Sequence, residues 1–139
     1  MSILSDIRRL VLEHRKMRER WGQTAKWCCD PSRTTYWWEV PIRVEGNTFQ
    51  VRILYPENYP ACPPEIIIDS PLPAGTPHLL TGRRMCWFFP SETQRNQNKW
   101  SPAEDTAALA VGVAYRWFLA FLVWNTTGQW PVPDAVRLG

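Results

Sequence analysis

The sequence predicts an α+β domain, and three patterns along the chain carry that prediction. A helix-period pattern comes first, a stretch of alternating apolar and polar residues follows, and a long apolar segment with a marked start comes last. A chain of 139 residues can bury one real core but rarely two. Residues 1–139 are therefore expected to form a single domain.

The first segment is an amphipathic helix with a basic face. Its apolar stripe recurs at steps of three and four residues and comprises Ile3, Leu4, Ile7, Leu10, Val11, His14, Met17 and Trp21. The same segment carries six Arg or Lys against three Asp or Glu, while the whole chain has a net charge of only +3. That small net charge argues against nucleic acid as a main partner. For each basic residue a solvated helix surface is the default interpretation, and a docking surface is the alternative.

The middle of the chain has the period-two pattern of half-buried strands. Residues 35–44 alternate in this way, and residues 49–55 repeat the pattern after the turn sequence Glu45-Gly46-Asn47. Gly and Asn suit such a turn because both tolerate positive φ. A third strand is expected at residues 65–69, after prolines that cannot lie inside a central ladder. The three strands predict an antiparallel meander. An irregular segment is expected to follow at residues 70–99, and because loops of that length are usually functional or disordered, the position of Cys86 within it is notable.

The last element is predicted to be a buried helix. Ser101-Pro102-Ala103-Glu104 combines a capping box with proline at the first helical position, and residues 107–123 are almost all apolar. A membrane span is rejected because Arg116 lies near the middle and no basic cluster flanks the segment. The helix is expected to end at residues 125–128 and to supply large core contacts, Trp117, Phe121 and Trp124.

The four cysteines, at positions 28, 29, 62 and 86, are expected to be reduced. The first residues lack the pattern of a secretory signal, so a cytoplasmic location is expected. No Cys-x-x-Cys pair is present, and only His14 and His78 could complete a ligand set. We therefore expect neither a metal nor another cofactor, with Cys28, Cys29 and Cys62 as structural thiols.

Three segments of the chain resemble the core signature of the ubiquitin-conjugating enzyme family. They are the Tyr-Pro-x-x-Pro-Pro element at residues 59–64, the single thiol of Cys86, and the Trp-Ser-Pro-Ala element at residues 100–103. Their order and spacing are specific, and the resemblance covers roughly residues 35–124. The end of the long helix, residues 124–131, is similar to the bacterial branch of the family, which is found in antiviral defence operons. The resemblance implies the ubiquitin-conjugating fold and a role in antiphage defence.

For the chemistry, the resemblance implies that Cys86 carries an acyl group as a thioester and transfers it to an amine. The tetrahedral oxyanion of such a transfer needs a preorganised donor. Most relatives use the asparagine of a His-Pro-Asn motif eight residues before the cysteine, and here His78 stands at that spacing. His78 is thus expected to stabilise the oxyanion or to help deprotonate the acceptor, although it could instead only tie the loop to backbone carbonyls. Asn125 and Asp105 are weaker candidates for the acceptor side, and capping is the more expected role for Asp105 and its neighbour Glu104.

The resemblance also implies protein partners. An activating enzyme would dock on the first helix, with Arg8, Arg9, Arg15 and Lys16 as candidate contacts. The conjugated protein would be a ubiquitin-like modifier or a nucleotidyltransferase attached through its own C-terminus, and a target protein would receive it.

Two alternatives to a conjugating enzyme stay open. An inactive adaptor of the same fold would bind a modifier without catalysis, but it predicts no thiol at the active position, where Cys86 stands. A cysteine hydrolase would use Cys86 with His78. Around the thiol, Trp87, Phe88 and Phe89 are expected to pack in the core, and the polar insertion at residues 90–99 could close over the site or contact a substrate.

Overall fold

Two α-helices and one antiparallel sheet make up the described part of the chain, as the α+β prediction requires. The computed structural model describes residues 6–87 and 100–131. In chain order the elements are α1 (Ile7–Trp21), a short 3₁₀ turn (Gly22–Thr24), β1 (Lys26–Cys29), β2 (Tyr36–Val44), β3 (Asn47–Leu54), β4 (Glu65–Ile68), β5 (Leu79–Leu80), β6 (Arg84–Met85) and α2 (Ala107–Thr127). The sheet order is β1-β2-β3-β4-β6-β5. This architecture is compatible with the ubiquitin-conjugating fold.

The predicted meander is confirmed as the centre of a wider sheet. Strands β2 and β3 pair in the register Val40 with Val51, and β3 pairs in turn with β4. The alternating side chains of β2 that point inward are buried, from Tyr36 at one end to Val44 at the other. Sequence patterning did not predict β1, β5 and β6, because they are four, two and two residues long. Such short strands hold no period-two signal of their own.

The predicted start of the long helix is wrong, since α2 begins at Ala107 and not at Ser101. Residues 101–105 close a separate turn: the Ser101 carbonyl accepts the N–H groups of Glu104 (3.1 Å) and Asp105 (2.8 Å). The Asp105 carboxylate in turn accepts the Ser101 N–H at 2.8 Å. Asp105 therefore caps this turn and not the helix. The first helical N–H, that of Ala107, is taken by the Glu13 carboxylate of α1 at 2.9 Å.

The body of α2 is the core helix that the sequence predicts. Trp117 and Phe118 are fully buried, and Phe49 of β3 stacks on Phe118 with ring centroids 4.2 Å apart. The helix is long and apolar enough to cross a bilayer, but the core helices of folded domains meet the same criterion. In this fold, 56% of its most apolar window is buried. Arg116 lies on the exposed side. The helix ends at Gly128, whose φ of 78° is left-handed and whose N–H donates to the Trp124 carbonyl.

Helix α1 is amphipathic in a different way from the predicted stripe. Met17 is buried as expected, but Ile7 and Val11 are 66% and 57% exposed. Ile3 and Leu4 lie outside the described residues. The residue buried in their place is Glu13, whose exposure is 0%. A carboxylate at such a position must be hydrogen-bonded and paired with a positive charge.

Glu13 is the centre of a buried polar network that joins α1 to the sheet and to α2. One carboxylate oxygen accepts the Tyr55 hydroxyl at 2.8 Å and the Ala107 N–H at 2.9 Å. The other accepts the Arg9 Nε at 2.9 Å and the Tyr59 hydroxyl. Burial, followed by the charge of Glu13, raises the pKa of both tyrosines, so both hydroxyls stay protonated as donors. Each of the two carboxylate oxygens therefore accepts two hydrogen bonds.

Candidate active site

A two-strand hairpin places Cys86 opposite His78. Strands β5 and β6 pair in the register Leu79 with Met85 and Leu80 with Arg84. The next opposed pair is His78 and Cys86, where the Cys86 N–H donates to the His78 carbonyl at 3.0 Å. Directly opposed residues of an antiparallel pair have Cα atoms about 4.5–5.5 Å apart. His78 and Cys86, which are eight residues apart in the sequence, are therefore neighbours across a hairpin.

Bonds to the end of β4 hold this hairpin in place. The Ile68 N–H donates to the Arg83 carbonyl at 3.0 Å, and the Arg83 Nε donates back to the Ile68 carbonyl at 2.7 Å. A second Arg83 nitrogen donates to the Ser70 carbonyl. On the next residue, Arg84 forms an ion pair with Glu65 of β4, with Nη1 3.2 Å from Oε2. Residues 83 and 84, which lead to the thiol, are thus held against β4.

His78 has an unusual backbone conformation, with φ at +60°. Outside glycine this left-handed region is sparsely populated, and Asn, Asp and His are the side chains that tolerate it best. The imidazole packs against the indole of Trp130, with ring centroids 4.8 Å apart and planes at 52°. The backbone of His78 therefore shapes the hairpin, while the catalytic role of its ring stays a prediction.

Cys86 itself is half-buried and packs beside the hydrophobic core. Its neighbours Met85 and Trp87 are 2% and 4% exposed, which confirms the predicted packing role of Trp87. Phe88, Phe89 and the insertion at residues 90–99 lie outside the described residues. None of the four cysteines is in a disulfide. The thiol is held by buried flanking residues and remains partly accessible.

Segments that are far apart in the sequence meet behind the thiol. The Trp100 Nε1 donates to the Pro60 carbonyl at 2.7 Å, which joins the Trp-Ser-Pro-Ala element to the Tyr-Pro-x-x-Pro-Pro element. Trp87 approaches Trp100 edge-on, with ring centroids 6.4 Å apart. Beside them a cleft of about 470 Å³ is lined by residues of the proline element, by Arg84 and by Trp87. The three parts of the sequence signature thus form one assembly around the hairpin.

The remaining predicted site residues are placed elsewhere or are engaged in structure. Asp105 binds the Ser101 N–H, as described above. Asn125 is exposed near the end of α2 and lines a separate cleft with Glu45 and Asn47 of the β2–β3 turn. Neither residue belongs to the lining of the cleft beside the hairpin.

The four basic docking candidates divide into one structural residue and three surface residues. The Arg9 side chain is only 10% exposed and donates to the carbonyls of Pro102 (2.6 Å) and Asp105 (2.7 Å) besides its pair with Glu13. Arg8 and Arg15 are exposed, and Lys16 is 45% exposed beside Glu19. A charge count along the helix could not separate Arg9 from the others, because the partners of Arg9 lie mostly in distant segments.

The fold and the hairpin define a class of protein: a small α+β domain in which a sheet-edge hairpin presents a half-buried cysteine next to a histidine. The family model described as "Type II CBASS E2 protein" matches residues 13–137, and the chain belongs to this family. It is therefore an E2-like, that is ubiquitin-conjugating-enzyme-like, protein of bacterial antiviral defence. The comparisons with curated proteins and with solved structures gave no match.

Proposed function

We propose that this chain is a conjugating enzyme that carries the C-terminal acyl group of a partner protein as a thioester on Cys86 and transfers it to a target amine. The observation that carries the proposal is the opposed pair of Cys86 and His78, joined by a 3.0 Å backbone hydrogen bond. Family membership supports the role in antiphage defence. The thiol supplies the nucleophile, and the hairpin fixes where the acyl group is held.

The reaction has two steps. In charging, the Cys86 thiolate attacks the acyl carbon that an activating enzyme presents, and a C–S bond forms. The bond between that carbon and the activating group breaks, and the group leaves with the bonding electrons. In discharge, a target amine attacks the same carbon, so a C–N bond forms and a tetrahedral oxyanion builds up. The C–S bond then breaks, Cys86 leaves as a thiolate, and the amine nitrogen loses its proton. We assign His78 to discharge, either donating to the oxyanion or accepting that proton.

The surroundings of His78 favour transfer over cysteine hydrolysis. In a Cys-His hydrolase a third polar group orients the histidine base toward the thiol. Here the contact described for the imidazole is the indole of Trp130, which cannot act as a hydrogen-bond acceptor for a ring N–H in the plane of the imidazole. This aromatic contact positions the ring but supplies no polar group to orient it as the base of a hydrolase.

We assign the activating enzyme to the outer face of α1. Arg8, Arg15 and Lys16 supply positive charge there, next to the exposed apolar side chains of Ile7 and Val11. Such a mixed surface suits a protein partner with an acidic patch. The cargo is a ubiquitin-like modifier or the C-terminus of a nucleotidyltransferase.

The proposal is tested by following charging and discharge separately in a His78→Ala protein. We expect thioester formation to stay almost intact, because the activating enzyme brings its own catalytic groups. Discharge of the purified thioester to lysine should slow by roughly a hundredfold or more, the usual scale for losing one oxyanion donor. His78→Asn should recover part of the loss, since asparagine supplies an amide donor and also tolerates positive φ. Rates come from single-turnover assays on non-reducing gels.

Two results would count against this assignment. Discharge at the wild-type rate by a folded His78→Ala protein would limit His78 to a structural role. Loss of charging and discharge together would indicate that the hairpin, with its backbone bond to Cys86, had been displaced. Melting curves of the variants separate these cases from unfolding.

Docking on α1 makes a prediction about salt. Changing Arg8, Arg15 and Lys16 to glutamate should slow charging at low ionic strength, and the deficit should shrink as salt is added, because steering by exposed charges is screened. Arg9 is left unchanged because its side chain belongs to the buried network. Arg43→Glu, at an exposed position of β2, is the control for a charge reversal away from α1. Equal charging rates for the triple variant and wild type at low salt would show that this face is only solvated.

A further inference from the structure

Trp130 lies between the histidine of the site and the buried centre of the protein. Its ring contacts His78 on one side at 4.8 Å and Trp117 on the other at 5.2 Å. Trp117 is fully buried and stacks on Phe121, with ring centroids 5.8 Å apart and planes at 6°. The imidazole of His78 is thus the outermost ring of a continuous series that begins inside α2.

The end of α2 is built to bring Trp130 back to this position. Gly128 ends the helix in a left-handed conformation with φ at 78°. The Thr127 Oγ1 donates to the Val123 carbonyl at 2.9 Å and accepts the Gln129 N–H at 3.1 Å, which fixes the direction of the chain after the helix. The chain therefore reverses at a defined point, and Trp130 packs beside Trp117 of the preceding helix.

The contribution of Trp130 is its ring and not its hydrogen bond. Among the residues that the structure describes, the buried indole N–H of Trp130 has no acceptor, and neither does that of Trp117. A buried donor without an acceptor costs free energy. Because no hydrogen bond offsets that cost, the contribution of Trp130 comes from the packing of its large flat ring against its neighbours.

We propose that Trp130 is a positioning residue for transfer: its indole face fixes the orientation of the His78 imidazole at the open end of the hairpin that carries Cys86. This inference rests on the proposed role of His78 in discharge. The backbone of His78 is held by the bond to Cys86, but that bond leaves the side-chain torsions of the imidazole undefined. Trp130 restricts them, which keeps the ring ready for the transition state.

The contact between the imidazole and Trp130 can be tested without any reaction. The chain has two histidines, so the His78 ring protons are identified in a proton NMR spectrum by their loss in His78→Asn. A ring 4.8 Å from an indole is shifted by the ring current. In Trp130→Leu these signals should move toward those of free histidine, and in Trp130→Phe the shift should be partly retained. Trp124→Leu is the control, because Trp124 packs on Phe121 of the same helix at 6.0 Å.

The catalytic consequence is measured on the preformed Cys86 thioester. Trp130→Leu should slow discharge to lysine by roughly tenfold to a hundredfold, the scale expected when a catalytic group is misplaced by about 1 Å. Charging should be unaffected, and Trp130→Phe should discharge close to the wild-type rate. In a His78→Ala background, Trp130→Leu should add no further loss, because no imidazole remains to be positioned.

Different outcomes overturn the inference and the proposed function. Unchanged His78 signals in Trp130→Leu, or an additive loss of rate in the His78→Ala background, would overturn the positioning role. Wild-type discharge by His78→Ala would instead remove the catalytic role of the imidazole, whatever the spectra show. If Trp130→Leu does not fold, Trp130→Met, whose unbranched side chain adapts better to an irregular space, is measured in its place.

Discussion

Cys86→Ala should abolish the reducible adduct that forms when the protein is incubated with its activating enzyme, its partner protein and ATP. The thioester needs a sulfur nucleophile at this position, and alanine offers none. Any adduct on Cys86→Ser should resist thiol reductants, because an oxygen ester replaces the thioester. Intact-mass spectrometry and gels with and without reductant measure both results.

The other thiols of the chain are built-in controls for Cys86. Cys29 is exposed on the edge strand β1, and Cys62 lines the cleft beside the hairpin. Neither is flanked by the pair of buried residues that holds Cys86. Cys29→Ala and Cys62→Ala should both charge like the wild type. An adduct that persists in Cys86→Ala, or one that mass spectrometry places on Cys29 or Cys62, would refute the central role of Cys86.

Glu13→Ala should lower the free energy of unfolding by about 3–5 kcal/mol, the range measured when one partner of a buried ion pair is removed. The change leaves the Arg9 guanidinium without its carboxylate and removes the acceptor of the Tyr55 and Tyr59 hydroxyls and of the Ala107 N–H. Urea denaturation followed by tryptophan fluorescence gives the free energies, and the slope with urea checks that unfolding stays two-state.

Glu19→Ala is the matched control on the same helix. Glu19 pairs with Lys16 at 3.7 Å with both side chains about half exposed, and pairs of that kind contribute about 0–1 kcal/mol. Glu13→Gln should fall between the two, because an amide keeps the size of the side chain but loses the charge and one acceptor oxygen. Equal losses for Glu13→Ala and Glu19→Ala would show that the buried network contributes nothing to stability.

Some features of the fold depend on residues that are close in the sequence, and others depend on distant residues. Strands β2 and β3 could be predicted because their own residues alternate between apolar and polar, and β4 because its segment follows prolines that cannot lie inside a central ladder. The start of α2 could not, although residues 101–104 carry a strong capping signal. The N–H that begins the helix is bound by a carboxylate 94 residues earlier, so a tertiary contact overrides the local signal. The burial of Glu13 was missed for the same reason, since its acceptor sites are filled largely by distant residues.

The candidate site divides in the same way. The family resemblance identified His78 by its position eight residues before Cys86. The hairpin that turns this spacing into a contact was not predicted, because the segment was expected to be irregular. The role of Trp130 could not be predicted, because its contacts with His78 and Trp117 depend on how the chain turns after α2. Gly128 indicates in the sequence that the chain turns after the helix, but it does not indicate which residues the chain contacts after the turn.

The two faces of α1 are expected to differ in how freely they can change over evolutionary time. Arg9, Glu13 and Met17 recur every four residues on the inward face, where Arg9 and Glu13 form an ion pair and Met17 is 1% exposed. Arg8, Val11 and Arg15 are exposed on the outer face. Substitutions that adapt the protein to a new partner can therefore accumulate on the outer face with little loss of stability, while the inner face stays constant.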